Sequence, residues 1–353
     1  MRLGLAVPIF ANPGVPDFRT PNAERLEWSE VRAAAVEAER LGYDSLWVAD
    51  HMFLGRDGAI YEGWTTLSVL AGMTSTIRLG TIHLGNELRH APLMAKMAAT
   101  LDVQSGGRLE LFVDPGWRAR ELTAYGYEWE PDRAVRAARV GEAIELARLL
   151  WSGEPASYEG AHYRLDGAIC APVPEQRPHP PIWIGEAFDE ATLDLIVAHA
   201  DVWNSMPAGL DVLREKIAKV DAACTARGRD PRTLRKTLET QVLIYDDRDD
   251  AERLFERFAE LRRAHPSGEA MRDVVAFVAQ TNAELGRGEL TFDDLREEFV
   301  IGTPDEVRAK LDAYRALGID EVICWFMDFP ARTSMRRLIH EVAPALAGAE
   351  VTG

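Results

Sequence analysis

Four side chains of acid–base or metal-ligating type stand at or just past the ends of apolar runs. His51 closes SLWVADH, His83 lies in TIHLGN, Asp114 ends LELFVD and Glu186 follows IWIG. Imidazole titrates close to neutral pH, so each histidine can donate or accept a proton under ordinary conditions. The four are also the ligand types of a nonhaem iron or other divalent-metal site. No two of them form a helical His/Glu pair, so their spacing gives a metal no support. Around them, Gly85 and Asn86 permit the unusual backbone that lets a flat ligand approach closely. Trp117 can stack on such a ring or simply cover an opening. Asn204, in DVWN, can bond a ligand or cap its own loop, and Arg89, in ELRH, can meet an anion or an acidic helix end.

These residues need a scaffold that brings strand ends together. Short apolar runs alternate with amphipathic stretches throughout, the pattern of βα units on a parallel sheet. Strands are expected at Leu3–Val7, Ser45–Val48, Ile77–Ile82, Leu109–Val113, Ile182–Ile184, Asp201–Asn204, Thr240–Tyr245 and Glu321–Trp325. Helices are expected at Leu26–Leu41, Pro92–Gln104 and Ala134–Trp151. TPDE, starting at Thr303, has the make-up of a capping box with proline at the first helical position. Eight strands with interleaved helices point to a TIM-type (β/α)8 barrel with insertions. An open doubly wound sheet would carry a glycine-rich turn after its first strand, where this chain has PIFANPG. One domain over 1–353 is expected, with insertions at 152–181 and 264–299 over the barrel mouth. The first reads as a small hairpin and an extended stretch; the second contains a helix over Ala270–Leu285.

Composition narrows the partners. The chain has 353 residues, 47% hydrophobic and 27% charged, with a formal net charge of -17. That charge argues against nucleic acid, because polyanions are bound by Lys and Arg neutralising phosphates. No run approaches the roughly 18 apolar residues of a membrane helix, and the N-terminus lacks a signal-peptide pattern. Cys170, Cys224 and Cys324 are odd in number and unspaced for metal, so all three read as reduced in a cytoplasmic protein.

SLWVADHMF, TIRLGTIHLGNELRHAPLMAKMAATLDVQSGGRLEL, YEGAHYRLDG with PHPPIWIG, HADVWN and FVIGTPDEVRAKLDAYRALGIDEV, in that order, resemble the bacterial luciferase-like family of flavin- and deazaflavin-dependent oxidoreductases. PHPPIWIG points toward the deazaflavin branch. The resemblance implies an oxidoreductase or monooxygenase acting on a small organic molecule. It implies reduced coenzyme F420, an 8-hydroxy-5-deazaflavin, or FMN across the carboxyl ends of the strands. His51 would then move the proton, His83, Gly85, Asn86, Gly116, Trp117, Gly185 and Asn204 would form the cofactor bed, and Asp114 and Glu186 would contact substrate. A non-proline cis peptide near the third strand end is common in the family, and a homodimer is the assembly its members commonly adopt.

Two turns depart from the family's pattern. Where glycine-rich turns usually cradle the cofactor phosphate, this chain has Asp114 and Pro115 in one, and Glu186, Ala187 and Phe188 in the other. Proline offers no N–H, and a carboxylate about 4 Å from a phosphate charge costs about 4 kcal/mol at an effective dielectric near 20. Asp189 and Glu190 have an ordinary explanation at a helix start. Two alternatives follow: an enzyme that has lost the flavin and uses His, Asp and Glu directly or through a divalent metal, or a binding or scaffold barrel without catalysis.

Overall fold

The computed structural model describes residues 1–266, 268–276 and 291–347. Eight parallel strands close a ring: β1 (Arg2–Ala6), β2 (Ser45–Val48), β3 (Arg78–Thr81), β4 (Leu109–Asp114), β5 (Ile182–Ile184), β6 (Val202–Ser205), β7 (Arg235–Ile244) and β8 (Ile319–Phe326). Closure is explicit in the register. Arg235–Leu238 of β7 pair with Val202–Ser205 of β6, and Arg2–Leu5 of β1 pair with Glu321–Cys324 of β8. The (β/α)8 barrel expected from the alternating pattern is therefore present, with β7 starting five residues ahead of its expected place at Thr240. A short strand, Val300–Gly302, adds to the end of β7 outside the ring.

Helices Trp28–Leu41, Ala91–Ser105 and Arg133–Leu150 form where periodicity put them, and Thr303 closes the capping box at Pro304–Ala316. The hairpin inside 152–181 pairs Ala156–Glu159 with Arg164–Ala168. It packs on helix Arg133–Leu150, where Glu142 accepts the N–H groups of Ala161, His162 and Tyr163. The proline-rich end then descends to the strand starts, where Gln176 bonds Asp102 and the Leu109 carbonyl. Of the helix expected at Ala270–Leu285, residues 272–276 are helical and 277–285 lie outside the described residues. The segment 265–273 does meet loops at the strand ends, through Arg56–His265 and Arg118–Asp273.

Strand side chains alternate between the two faces of a sheet, and that period fills the barrel in layers. At the floor, Ser45 donates to Glu321 at 2.5 Å and Glu110 accepts from Trp183 Nε1 at 2.6 Å. Arg2 and Arg78 balance these two buried carboxylates. Above lie Trp47 and Trp183, ring centroids 4.5 Å apart, then Phe112, then His83 with its ring 4.2 Å from Phe112. Gly80 leaves room for this plug, since a Cβ there would stand 2.2 Å from the Trp47 ring. Overpacking a full core costs about 1–3 kcal/mol, so Gly80→Ala should lower stability by that much. Urea unfolding checks it: a lower midpoint at unchanged slope is expected.

Candidate active site

The carboxyl ends of the strands carry the chemistry, and the two-residue period decides which side chains enter. On β4 the inward set is Glu110, Phe112 and Asp114, so the carboxylate that ends the strand points into the barrel. Its Oδ1 accepts the Gly116 N–H at 2.7 Å, and its Oδ2 lies 3.6 Å from His83 Nδ1. The first contact holds the turn, with Gly116 at φ +78°, and the second charges the mouth. On β5, Trp183 and Gly185 face inward, and Gly185 is near enough for an added Cβ to reach Asp114 Oδ2 at 3.7 Å. Glu186 is one residue out of phase and turns away. Its Oε2 takes the Lys216 ammonium at 2.7 Å and the Met206 N–H at 3.1 Å, tying two turns together.

His51 Nδ1 lies 2.8 Å from Glu121 Oε2, and Glu121 Oε1 accepts the N–H groups of Met52 and Phe53. Burial raises the Glu121 carboxyl, but the His51 bond and charge, the Phe53 N–H and Arg118 outweigh it and hold it below the usual carboxylate range. An ionised carboxylate only accepts, so His51 carries its proton on Nδ1 when neutral and leaves the Nε2 lone pair for other work. Trp117, 39% exposed, meets the His51 ring edge-on at 6.2 Å between centroids.

His83 sits deeper. Its peptide bond with Ile82 is cis. Its Nε2 lies 3.5 Å from Glu239 Oε1, an ion-pair distance, and this buried nitrogen has no hydrogen-bond partner among the described residues. Burial opposes a charged ring and so does Arg19, but Glu239 and Asp114 win and raise the imidazole's proton affinity. Glu239 is 3% exposed. Its Oε2 takes Arg19 at 2.8 Å and Trp325 Nε1 at 3.1 Å. Burial pushes its carboxyl up, but the charges of Arg19 and His83 dominate and hold it down at about 2.

Other expected site residues are placed differently. Asn204 is fully buried in the barrel wall, its amide bonded to the Ser205 carbonyl and the Thr237 hydroxyl, and so is not offered at the mouth. Asn86 donates to the Tyr163 hydroxyl at 3.1 Å, anchoring the hairpin. Gly85 N–H is held by Asp50 at 3.0 Å, and Arg89 forms a two-pronged pair with the same carboxylate. Asp189 caps its own helix through the Thr192 N–H, as ordinary first-turn acids do. Among the described residues no group of three or more His, Cys, Asp or Glu side chains could hold a metal, and no helix is long and apolar enough to cross a membrane. Glu121, Glu239 and Arg19 are additions from the structure. Glu239 had a signal, a charged residue inside the apolar stretch TLETQVLIY, missed because the strand was started one residue too late to include it.

A cofactor's ring and its phosphate tail meet different surroundings here. For a flat ring there is Gly185 beside Phe112 and Asp114, an exposed Trp117, and a buried ring nitrogen of His83 without a hydrogen-bond partner among the described residues. For a phosphate, the Gly116 N–H and the helix start at Asp189 are already taken by carboxylates. Cations stand beside the second turn instead: Lys216 on Glu186, Lys219 on the Ala187 carbonyl and Arg133 on Asp189. The ring end fits a flavin-type group, and the tail would be met by side-chain cations.

A closed (β/α)8 barrel that carries His51, His83 and their carboxylates past the carboxyl ends of adjacent strands puts acid–base groups where barrel enzymes build their sites. The model of the luciferase-like monooxygenase family matches residues 2–321, and the chain belongs to that family. An F420-dependent glucose-6-phosphate dehydrogenase of Microbacterium testaceum (strain StLB037) is 26% identical over 330 residues, covering 92% of this chain and 95% of the relative. An F420-dependent secondary alcohol dehydrogenase in complex with an F420-acetone adduct superposes with a TM-score of 0.75 at 20% identity, covering 98% of each chain. Long-chain alkane monooxygenase superposes at 0.76 and 14%, covering 100% of this chain and 92% of that one. At such identities these two structures show the fold alone.

A carboxylate whose folded proton affinity is depressed adds stability above its unfolded value and loses it as pH falls through the folded one. For Glu239 that window runs from the ordinary 4.5 down to about 2. Glu239→Gln should therefore be less stable than the parent at neutral pH, with the gap narrowing across this acid window. Urea midpoints of both proteins from neutral to acid pH measure it.

Proposed function

We propose that this chain is a deazaflavin-dependent oxidoreductase that interconverts an alcohol and a carbonyl on a small organic molecule. The observation that carries the reading is the His51–Glu121 pair at the barrel mouth, a proton carrier with its tautomer fixed. The family and the F420-dependent name of a relative matching nearly the whole chain support the cofactor. The chain is read as one barrel domain over 1–353, and its three free buried cysteines suit a reducing, cytoplasmic compartment.

When bound, the deazaflavin supplies or takes the hydride. This chain's residues do the rest. His51 Nε2 removes the hydroxyl proton in the oxidising direction and returns it in the reducing one, while Glu121 stabilises the imidazolium in between. Gly85, Gly116, Gly185 and Trp117 would bed the ring. Lys216 and Arg133 would meet the negative tail, with Glu186 as the competitor for Lys216.

The test is titration of the purified protein with F420 and with FMN, followed by optical spectra, and then turnover with an alcohol panel. Binding of F420 and its reduction by an alcohol are expected; failure to bind F420 overturns the reading, and tighter FMN binding with oxygen uptake shifts it to a monooxygenase. General acid–base groups contribute about 10²–10⁴-fold, so His51→Gln should lower kcat/KM by that factor with cofactor affinity nearly unchanged. Releasing Lys216 by Glu186→Gln should favour FMN over unphosphorylated riboflavin by about tenfold, the worth of one charge-assisted bond. Equal binding of both by the variant would remove Lys216 from the phosphate site.

A further inference from the structure

Residues 8–27, between β1 and the first helix, cross the barrel mouth and are latched from several sides. Gln241 Nε2 donates to the Pro16 carbonyl at 2.6 Å, and Asn22 donates to the Asp328 carbonyl at 3.2 Å. Arg257 from helix Arg248–Ala264 bonds Asn22 and Glu24. At the centre Arg19 lies over the Trp325 ring, 5.3 Å from its centroid, and reaches Glu239.

Glu239 is thus divided between two partners: Oε2 on the Arg19 guanidinium, which belongs to a loop, and Oε1 on the His83 imidazole, which belongs to the barrel. We propose that Arg19 and His83 compete for Glu239, so that seating or withdrawing Arg19 with loop 8–27 sets how tightly His83 holds its proton, making His83 a second proton donor beside His51. That catalytic consequence rests on the mouth being the active site; the electrostatic competition does not.

The charged groups facing His83 are few. Asp114 comes from β4, Glu239 from β7 and Arg19 from the loop after β1; Phe112 packs against the ring, and Gly185 on β5 brings no side chain. With Arg19 withdrawn, Glu239 and Asp114 act on His83 unopposed, and the imidazolium is strongly held. With Arg19 seated, one of the two negative charges is compensated, and the ring gives up its proton more readily. Loop closure over a ligand therefore loosens the proton at the moment a ligand oxygen beside His83 gains electron density. That oxygen takes one proton, so His83 supplies it in place of His51: an N–H bond breaks, an O–H bond forms, the imidazole is left neutral, and solvent reprotonates it when the loop reopens.

Imidazole NMR of the free protein, with the His83 signal assigned by its loss in His83→Gln, reads the titration without any cofactor. Arg19→Met should raise the His83 midpoint by about one pH unit, and Glu239→Gln should lower it by at least as much. An unchanged midpoint in Arg19→Met overturns the competition. Arg19→Met should also speed amide exchange across 8–27, and unchanged exchange overturns the latch. In the cofactor-loaded enzyme, Arg19→Met should move one limb of the kcat/KM pH profile in the same direction as the NMR midpoint. A profile that stays put while the midpoint moves overturns the donor role. Failure of F420 to bind would sink the functional reading alone, since the free-protein titration still decides the competition.

Discussion

A carboxylate buried in the wall of a barrel has to be paired, because an isolated charge taken out of water carries a penalty of several kcal/mol. Glu239 meets that demand from three directions: Arg19 from a loop, His83 from the end of β3, and Trp325 from β8. Much of the mouth is arranged around this need. The loop after β1 is drawn across the opening, a histidine is kept next to two negative charges, and the aromatic plug beneath is roofed by polar groups. Remove the negative charge and neither cation has reason to stay.

The second pair is built on the same physics with a different result. At His51, two backbone N–H groups share the Glu121 carboxylate with the imidazole. Glu121 therefore fixes a tautomer. At His83 two carboxylates stand at ion-pair distance with no hydrogen bond to direct the ring, and they raise its proton affinity instead. Two histidines on adjacent strands thus present different proton chemistry at one opening.

The carboxylates in the two atypical turns also separate by geometry. Asp114 stands in for the anion that a glycine-rich turn would hold: its Oδ1 accepts the Gly116 N–H. Glu186 is neutralised by Lys216, so the repulsion expected at that turn is much reduced. A phosphate that arrives there meets lysine and arginine side chains in place of bare main chain.

The barrel was legible in the sequence, because two-residue and 3.6-residue periods are local properties of the chain and eight of them in alternation leave few topologies; the family was legible through the resemblance of its motifs. The two-residue period puts Asp114 on one face with Phe112 and Glu110, but only their contacts with Trp183 and His83 show that this face is the inner one. The partners were not legible. Glu121 lies 70 residues from His51, Arg19 lies 220 from Glu239, and the alternation that admits Asp114 turns Glu186 and its charge toward a helix lysine. Sequence tells which residues of a strand share a face, since that depends on their neighbours along one strand. Which charge stands opposite depends on how separate strands and loops are brought together around the ring, and closure of the barrel alone decides that.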